Sequence, residues 1–151
     1  MCHGNKVVKS MDFLVAVVEK GVKDGHVYEN SDAGDEFLNV ATSTINVKVQ
    51  VLPHKLFERD GDNLKTKVYL TLEEALLGFE KSIIHLDGHE VKLNKSGVTN
   101  PGDKQKILDE GMPHHQFSSE FGDLYVTYEV EFPTDLSQNR LSKFRKMFDF
   151  K

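Results

Sequence analysis

A chain of 151 residues, 38% hydrophobic and 28% charged, is long enough for one ordinary domain or two small ones and too apolar to be disordered. Its formal net charge of −5 argues against a nucleic-acid surface, which needs clustered Lys and Arg. No apolar run is long enough to cross a bilayer as a helix, and one cysteine, Cys2, excludes an internal disulfide framework.

Residues 1–9, MCHGNKVVK, neither cap nor seed an element, which reads as the start of a piece of a longer protein. Phe13 to Val18, FLVAVV, is continuously apolar and β-branched and predicts a strand buried on both faces; Gly21 and Gly25 end it. Residues 45–51 alternate strictly, with Ile45, Val47, Val49 and Val51 on one side and Asn46, Lys48 and Gln50 on the other, a half-buried strand. The acidic run Glu58-Arg59-Asp60-Gly61-Asp62 follows. Leu64, Val68 and Leu70 resume the strand period. Leu72, Ala75 and Leu76 share a face of a short helix over 72–80, with Gly78 near its end. Short strands follow around KSIIHL, EVKL and KQKIL. In residues 123–132 Leu124, Val126, Tyr128, Val130 and Phe132 alternate with Thr127, Glu129 and Glu131, the clearest strand of the chain. Beyond Pro133, Leu141, Phe144 and Phe148 recur at helical spacing after a cap at Asp135 or Ser137.

The first half echoes the second. GVKDGHVYE, a Gly-Asp pair and INVKVQVLP parallel GVTNPGDKQ, a Gly-Asp pair and LYVTYEVEFP, which predicts two related β-units in tandem. The fold class expected is mostly all-β: two-layer β-sandwich units, one short internal helix and a C-terminal helix.

Catalytic patterns are weak. The glycine of Asp60-Gly61-Asp62 stands in the wrong position for a calcium loop, so a strand-connecting turn explains the run better. His85 and His89 flank Asp87-Gly88, a hairpin signal, and read as surface histidines without the partners a zinc site needs; no metal and no cofactor are expected. There is no nucleophile elbow and no glycine-rich phosphate loop, and Glu73-Glu74 lies where it complements a helix dipole. No enzyme is expected. β-Units with apolar strands and open edges instead suit the capture of an extended peptide as an added strand. The bland explanation of the same residues is core packing, and the competing function is a β-sandwich scaffold that binds a folded partner or a glycan.

LPHKLFERDGDNL, EEALLGFEKSIIHLDGHEVKL, GVTNPGDKQKILDEGMP and GDLYVTYEVEFP, in that order, closely resemble the C-terminal substrate-binding region of DnaJ-type (J-domain) co-chaperones. The resemblance implies boundaries. Residues 1–10 would be the tail of a zinc-binding insertion, 11–54 the end of a first peptide-binding β-domain, 55–133 a second, and 134–151 the start of a dimerising segment. It makes residues 58–63 the hinge between the units. The J-domain and all of the zinc repeats but Cys2 are missing, and residues 28–44 lack the usual Gly-Glu-Gly-Asp connection. The implied partners are unfolded client polypeptides and a DnaK-type chaperone reached through the missing J-domain, with a homodimer formed by Leu141, Phe144 and Phe148. The implied client pocket takes strand residues Leu14 and Val47, with Ile45 and Val49 beside Val47. GFEKSIIHLDGHEV looks most like the branch of the endoplasmic-reticulum lumen, with a cytoplasmic relative as the alternative.

Overall fold

The computed structural model describes residues 11–36, 41–117, 119–135 and 138–148, without the side chains of 138–140 and 148. The expected insertion tail at 1–10, with Cys2, lies outside them. In chain order the elements are strands β1 (Val27–Asn30), β2 (Ile45–Lys48), β3 (Phe57–Asp60) and β4 (Asn63–Thr71), and helix α1 (Leu72–Leu77). Strands β5 (Gly78–Ile84), β6 (Glu90–Ser96), β7 (Lys104–Ile107) and β8 (Leu124–Glu131) and helix α2 (Gln138–Phe148) follow. The chain is thus mostly β, as its alternation requires.

β4 and β8 form the centre because each has one continuous apolar face. Leu64, Thr66, Val68 and Leu70 point inward from β4, and Leu124, Val126 and Tyr128 from β8. The two run parallel, Leu64 opposite Leu124 and Leu70 opposite Val130, with β3 and β7 antiparallel on the outer edges. The β5–β6 hairpin brings Phe79, Val91 and Leu93 into the same core, and Ala75 of α1 joins them. Phe132, expected on the inner face, lies past the end of β8 and is exposed. Burial pushes the Tyr128 phenol up to about 12, and its hydroxyl donates to the Gln105 side-chain oxygen.

The helix is shorter than the 72–80 expected, because Gly78 takes a φ of 98° and starts β5. Its start is a full capping box. Thr71 Oγ1 accepts from the Glu74 N–H, and the Glu74 carboxylate accepts from the Thr71 N–H, worth about 1 kcal/mol. That backbone bond, with Lys81 2.9 Å away, holds the Glu74 carboxyl below its usual range. Glu74 is therefore structural, as its position in the first turn implied.

Two expectations are corrected. Residues 11–19 join no strand ladder among the described residues, and their side chains are exposed. An apolar run on both faces is a strand only where a sheet covers it, and no described strand does so. Residues 58–63 are not a hinge: Phe57–Asp60 is β3, and Gly61 (φ 63°) turns it into β4. The simpler reading, a turn between strands, describes the run.

Candidate functional site

The expected client-binding residues fall on the β1–β2 hairpin. Val47 stands opposite Tyr28 and Ile45 opposite Asn30, so these four, with Val49, share one half-buried face. Asn46, Lys48 and Glu29 occupy the exposed face. Pairing continues past the strands: Val49 N–H donates to His26 O at 2.8 Å, Gly25 N–H to Val49 O at 2.9 Å, and Val51 N–H to the Asp24 carboxylate at 2.8 Å.

The β7–β8 pair repeats this arrangement residue for residue. Gly102 N–H donates to Tyr128 O and Tyr128 N–H to Asp103 O, as Gly25, Val49 and His26 do. The registers then match Ile45, Val47 and Val49 with Leu124, Val126 and Tyr128. The sequence echo is thus a shared hairpin plan. The two copies differ in what surrounds them. β8 is flanked by β7 on one side and β4 on the other, and Leu124, Val126 and Tyr128 on its inner face are fully buried. β2 pairs only with β1 among the described residues, and the same face is only half covered.

Leu14 is not brought to Val47 by any ladder or hydrogen bond; it lies exposed in the irregular 11–19 segment. A cavity of about 530 Å³ opens beside the hairpin between Lys23, His26, Asp62, His114, His115 and Phe117. Its cationic, anionic and imidazole lining suits a leucine side chain poorly. Tyr28, whose ring meets His26 edge-on at 4.7 Å, was missed as a member of the face; the alternation in HVYEN was its signal.

A joint fixes the hairpin on the sandwich. Arg59 of β3 donates to the carbonyls of Gly21 (2.7 Å), Val22 (2.6 Å) and Gly61 (2.8 Å). Val22 is buried, and a Cβ on Gly21 (φ +83°) would meet Pro113 O at 2.1 Å. The 58–63 run joins the two halves through a guanidinium, not through flexibility.

At the tail, α2 forms as the spacing predicted. Leu141 and Phe144 are half-buried on it, and the Phe148 side chain lies outside the described residues.

The β5–β6 tip gathers a second group. The His85 and His89 rings meet at a tilt of 32° with centroids 4.8 Å apart, and Asp87 Oδ1 lies 3.4 Å from His85 Nδ1 and 2.5 Å from His89 Nδ1. Glu110, distant in sequence, meets both Nε2 atoms: its carbonyl oxygen lies 3.1 Å from His85, its carboxylate 2.8 Å from His89. The hydrogen bond to Asp87 chiefly holds the His89 imidazole above its usual range, and the His89 N–H holds the Asp87 carboxyl below its own. His85 is not the surface residue expected, since its side chain is only 9% exposed. His85, Asp87 and His89 are the residues here that could hold a metal ion.

The DnaJ C terminal domain family matches residues 5–133. The chain is 38% identical over 147 residues to the DnaJ protein ERDJ3B of Arabidopsis thaliana, a match covering 97% of this chain and 42% of that protein. It is 36% identical over 134 residues to DnaJ homolog subfamily B member 11 of Rattus norvegicus, covering 89% and 37%, and 39% identical over 140 residues to DnaJ homolog dnj-20 of Caenorhabditis elegans, covering 92% and 39%. The chain therefore spans well under half the length of these relatives. On the family match, which takes in both hairpins and the whole sandwich, the chain belongs to the DnaJ C terminal domain family.

Proposed function

We propose that this chain is the client-holding region of a J-domain co-chaperone. It binds unfolded or extended polypeptide by strand addition at the β1–β2 hairpin and hands it to a DnaK-type chaperone through a J-domain elsewhere in the protein. One observation carries the reading. β2 repeats the plan of β8 but has backbone pairing on one side only among the described residues, and its apolar face is half covered. An extended segment can supply both the missing ladder and a side chain against Ile45, Val47 and Val49. Leu14, in the exposed 11–19 segment, joins that pocket when a client brings the segment alongside. No covalent step or nucleotide is involved.

Each buried client leucine contributes about 1.5–3 kcal/mol, so single peptides bind weakly. On an array, short Leu- and aromatic-rich segments are retained with little regard for the rest of their sequence. Val47→Asp weakens binding of a fluorescent leucine-rich peptide about tenfold or more by anisotropy, while Asn46→Asp on the exposed face leaves it within about twofold. Equal affinities for the two variants, or one sharply preferred ligand, would favour a scaffold instead.

The reading extends to three further points. The units divide near residues 54 and 133, α2 opens a dimerising segment, and the protein works in the endoplasmic reticulum lumen, as the ERDJ3B likeness suggests. Two-fold pairing would present two clefts to one client and raise avidity. Light scattering then gives twice the chain mass for the wild type and a monomer for Phe144→Asp with Phe148→Asp; the same mass for both proteins ends the dimer proposal.

A further inference from the structure

We propose that the β5–β6 tip, His85-Leu86-Asp87-Gly88-His89 backed by Glu110, binds one zinc-type divalent ion, with His85 Nδ1, His89 Nδ1 and an Asp87 carboxylate oxygen as ligands. Their ligand atoms lie within 4.8 Å of one another, and a tetrahedral site draws them to about 3.3 Å. Asp87 and His89 have exposed side chains, where that adjustment is made; the His85 ring lies 5.6 Å from buried Phe57.

The hydrogen bonds select the coordinating nitrogens. A carbonyl oxygen only accepts, so His85 donates from Nε2 to Glu110 O, which leaves a lone pair on Nδ1. That Nδ1 has no hydrogen-bond partner although its side chain is about nine-tenths buried. Asp87 Oδ1 lies 3.4 Å from it. A buried acceptor without a donor is costly, and a cation satisfies it. His89 donates from Nε2 to the Glu110 carboxylate, so its Nδ1 also faces Asp87. An ion would take the place of the proton between His89 and Asp87. Histidine ligands that donate their second N–H to a carbonyl or carboxylate are the usual support of a metal site, and here one residue, Glu110, serves both.

The loop is set in advance. His85 N–H donates to His89 O (2.8 Å), Gly88 N–H to His85 O (3.0 Å), and the His89 N–H to Asp87 Oδ1 (3.1 Å), with Gly88 at φ 93°. Two imidazoles and one carboxylate suit zinc better than calcium or magnesium, which prefer oxygen throughout. Three protein ligands would leave the fourth position to water or to a donor from a bound chain.

The test is calorimetric titration of zinc into the chelator-treated full chain. Asp87→Asn is the central variant, because Asn-Gly turns a hairpin as well as Asp-Gly and removes only the charged ligand. The expected result is one ion per chain, weakened about tenfold or more by Asp87→Asn, by His89→Gln and by Glu110→Gln, with unchanged metal-free melting for Asp87→Asn. No binding overturns the proposal. So does a single ion whose affinity stays within about twofold in these variants, since that ion is then not held at the β5–β6 tip.

Discussion

Gly122→Ala is expected to unfold the sandwich more readily than any other single methyl added to a glycine of β3–β8. Its Cβ would sit 2.0 Å from Asp62 O and 2.5 Å from Asp62 C, both backbone atoms that cannot turn aside. The position is a crossing of three segments. Gly122 N–H donates to Met112 O, Met112 N–H to Asp62 O, and Gly111 N–H to Gly122 O, while Asp123 N–H reaches the Asn63 side chain. Moving any one strand breaks several of these bonds and shifts Leu64 and Leu124, which the parallel β4–β8 register places opposite each other just beyond. Overpacking against backbone is expected to cost about 3 kcal/mol or more, against about 1–2 for Gly61→Ala, where a positive φ is the only penalty. Urea unfolding of the two variants measures the difference. If Gly122→Ala is no less stable than Gly61→Ala, the three-way crossing is not as close as the geometry states.

Arg59→Leu is expected to uncouple the β1–β2 hairpin from the sandwich without melting the sandwich. It removes charged donors from the Gly21 and Val22 carbonyls, each worth about 1.5–3 kcal/mol. Within the sandwich that guanidinium reaches the β3–β4 turn, at the Gly61 carbonyl and 3.9 Å from the Asp62 carboxylate, and not the buried side chains of β4 and β8. Hydrogen exchange at the Gly25 and Val49 amides should accelerate at least tenfold, while Leu64 and Tyr128 stay protected. Arg59→Lys should recover little of the protection, since one ammonium cannot reproduce the fork onto two carbonyls. Uniform acceleration across the chain would mean that Arg59 supports the whole fold rather than the joint. If client binding uses the hairpin, Arg59→Leu also alters affinity while leaving the melting of the sandwich in place.

Elements that carry their own pattern are legible in the amino-acid sequence. Alternation marks β2, β4 and β8, Asp87-Gly88 marks the β5–β6 turn, and Leu141 with Phe144 marks α2. The candidate face of Ile45, Val47 and Val49 is legible for the same reason, because polar residues between them fix which side is apolar. The run at 13–18 has no polar mark, so its sequence states only that it can be covered, not whether it is.

Joint and tip show the other limit. Arg59 reads as one charge in an acidic turn, and His85 and His89 as two surface histidines, because their partners lie far along the chain. The amino-acid sequence by itself determined β2, β4 and β8, the short internal helix, the repeated hairpin plan and the family. Only the tertiary structure decided that Arg59 clamps Gly21 and Val22, that Glu110 backs both histidines, and that β2 keeps one side unpaired among the described residues. Strand period and capping are settled by neighbours a few positions apart, whereas a guanidinium, a carboxylate or a free edge gains meaning from whichever distant segment the packed core carries to it.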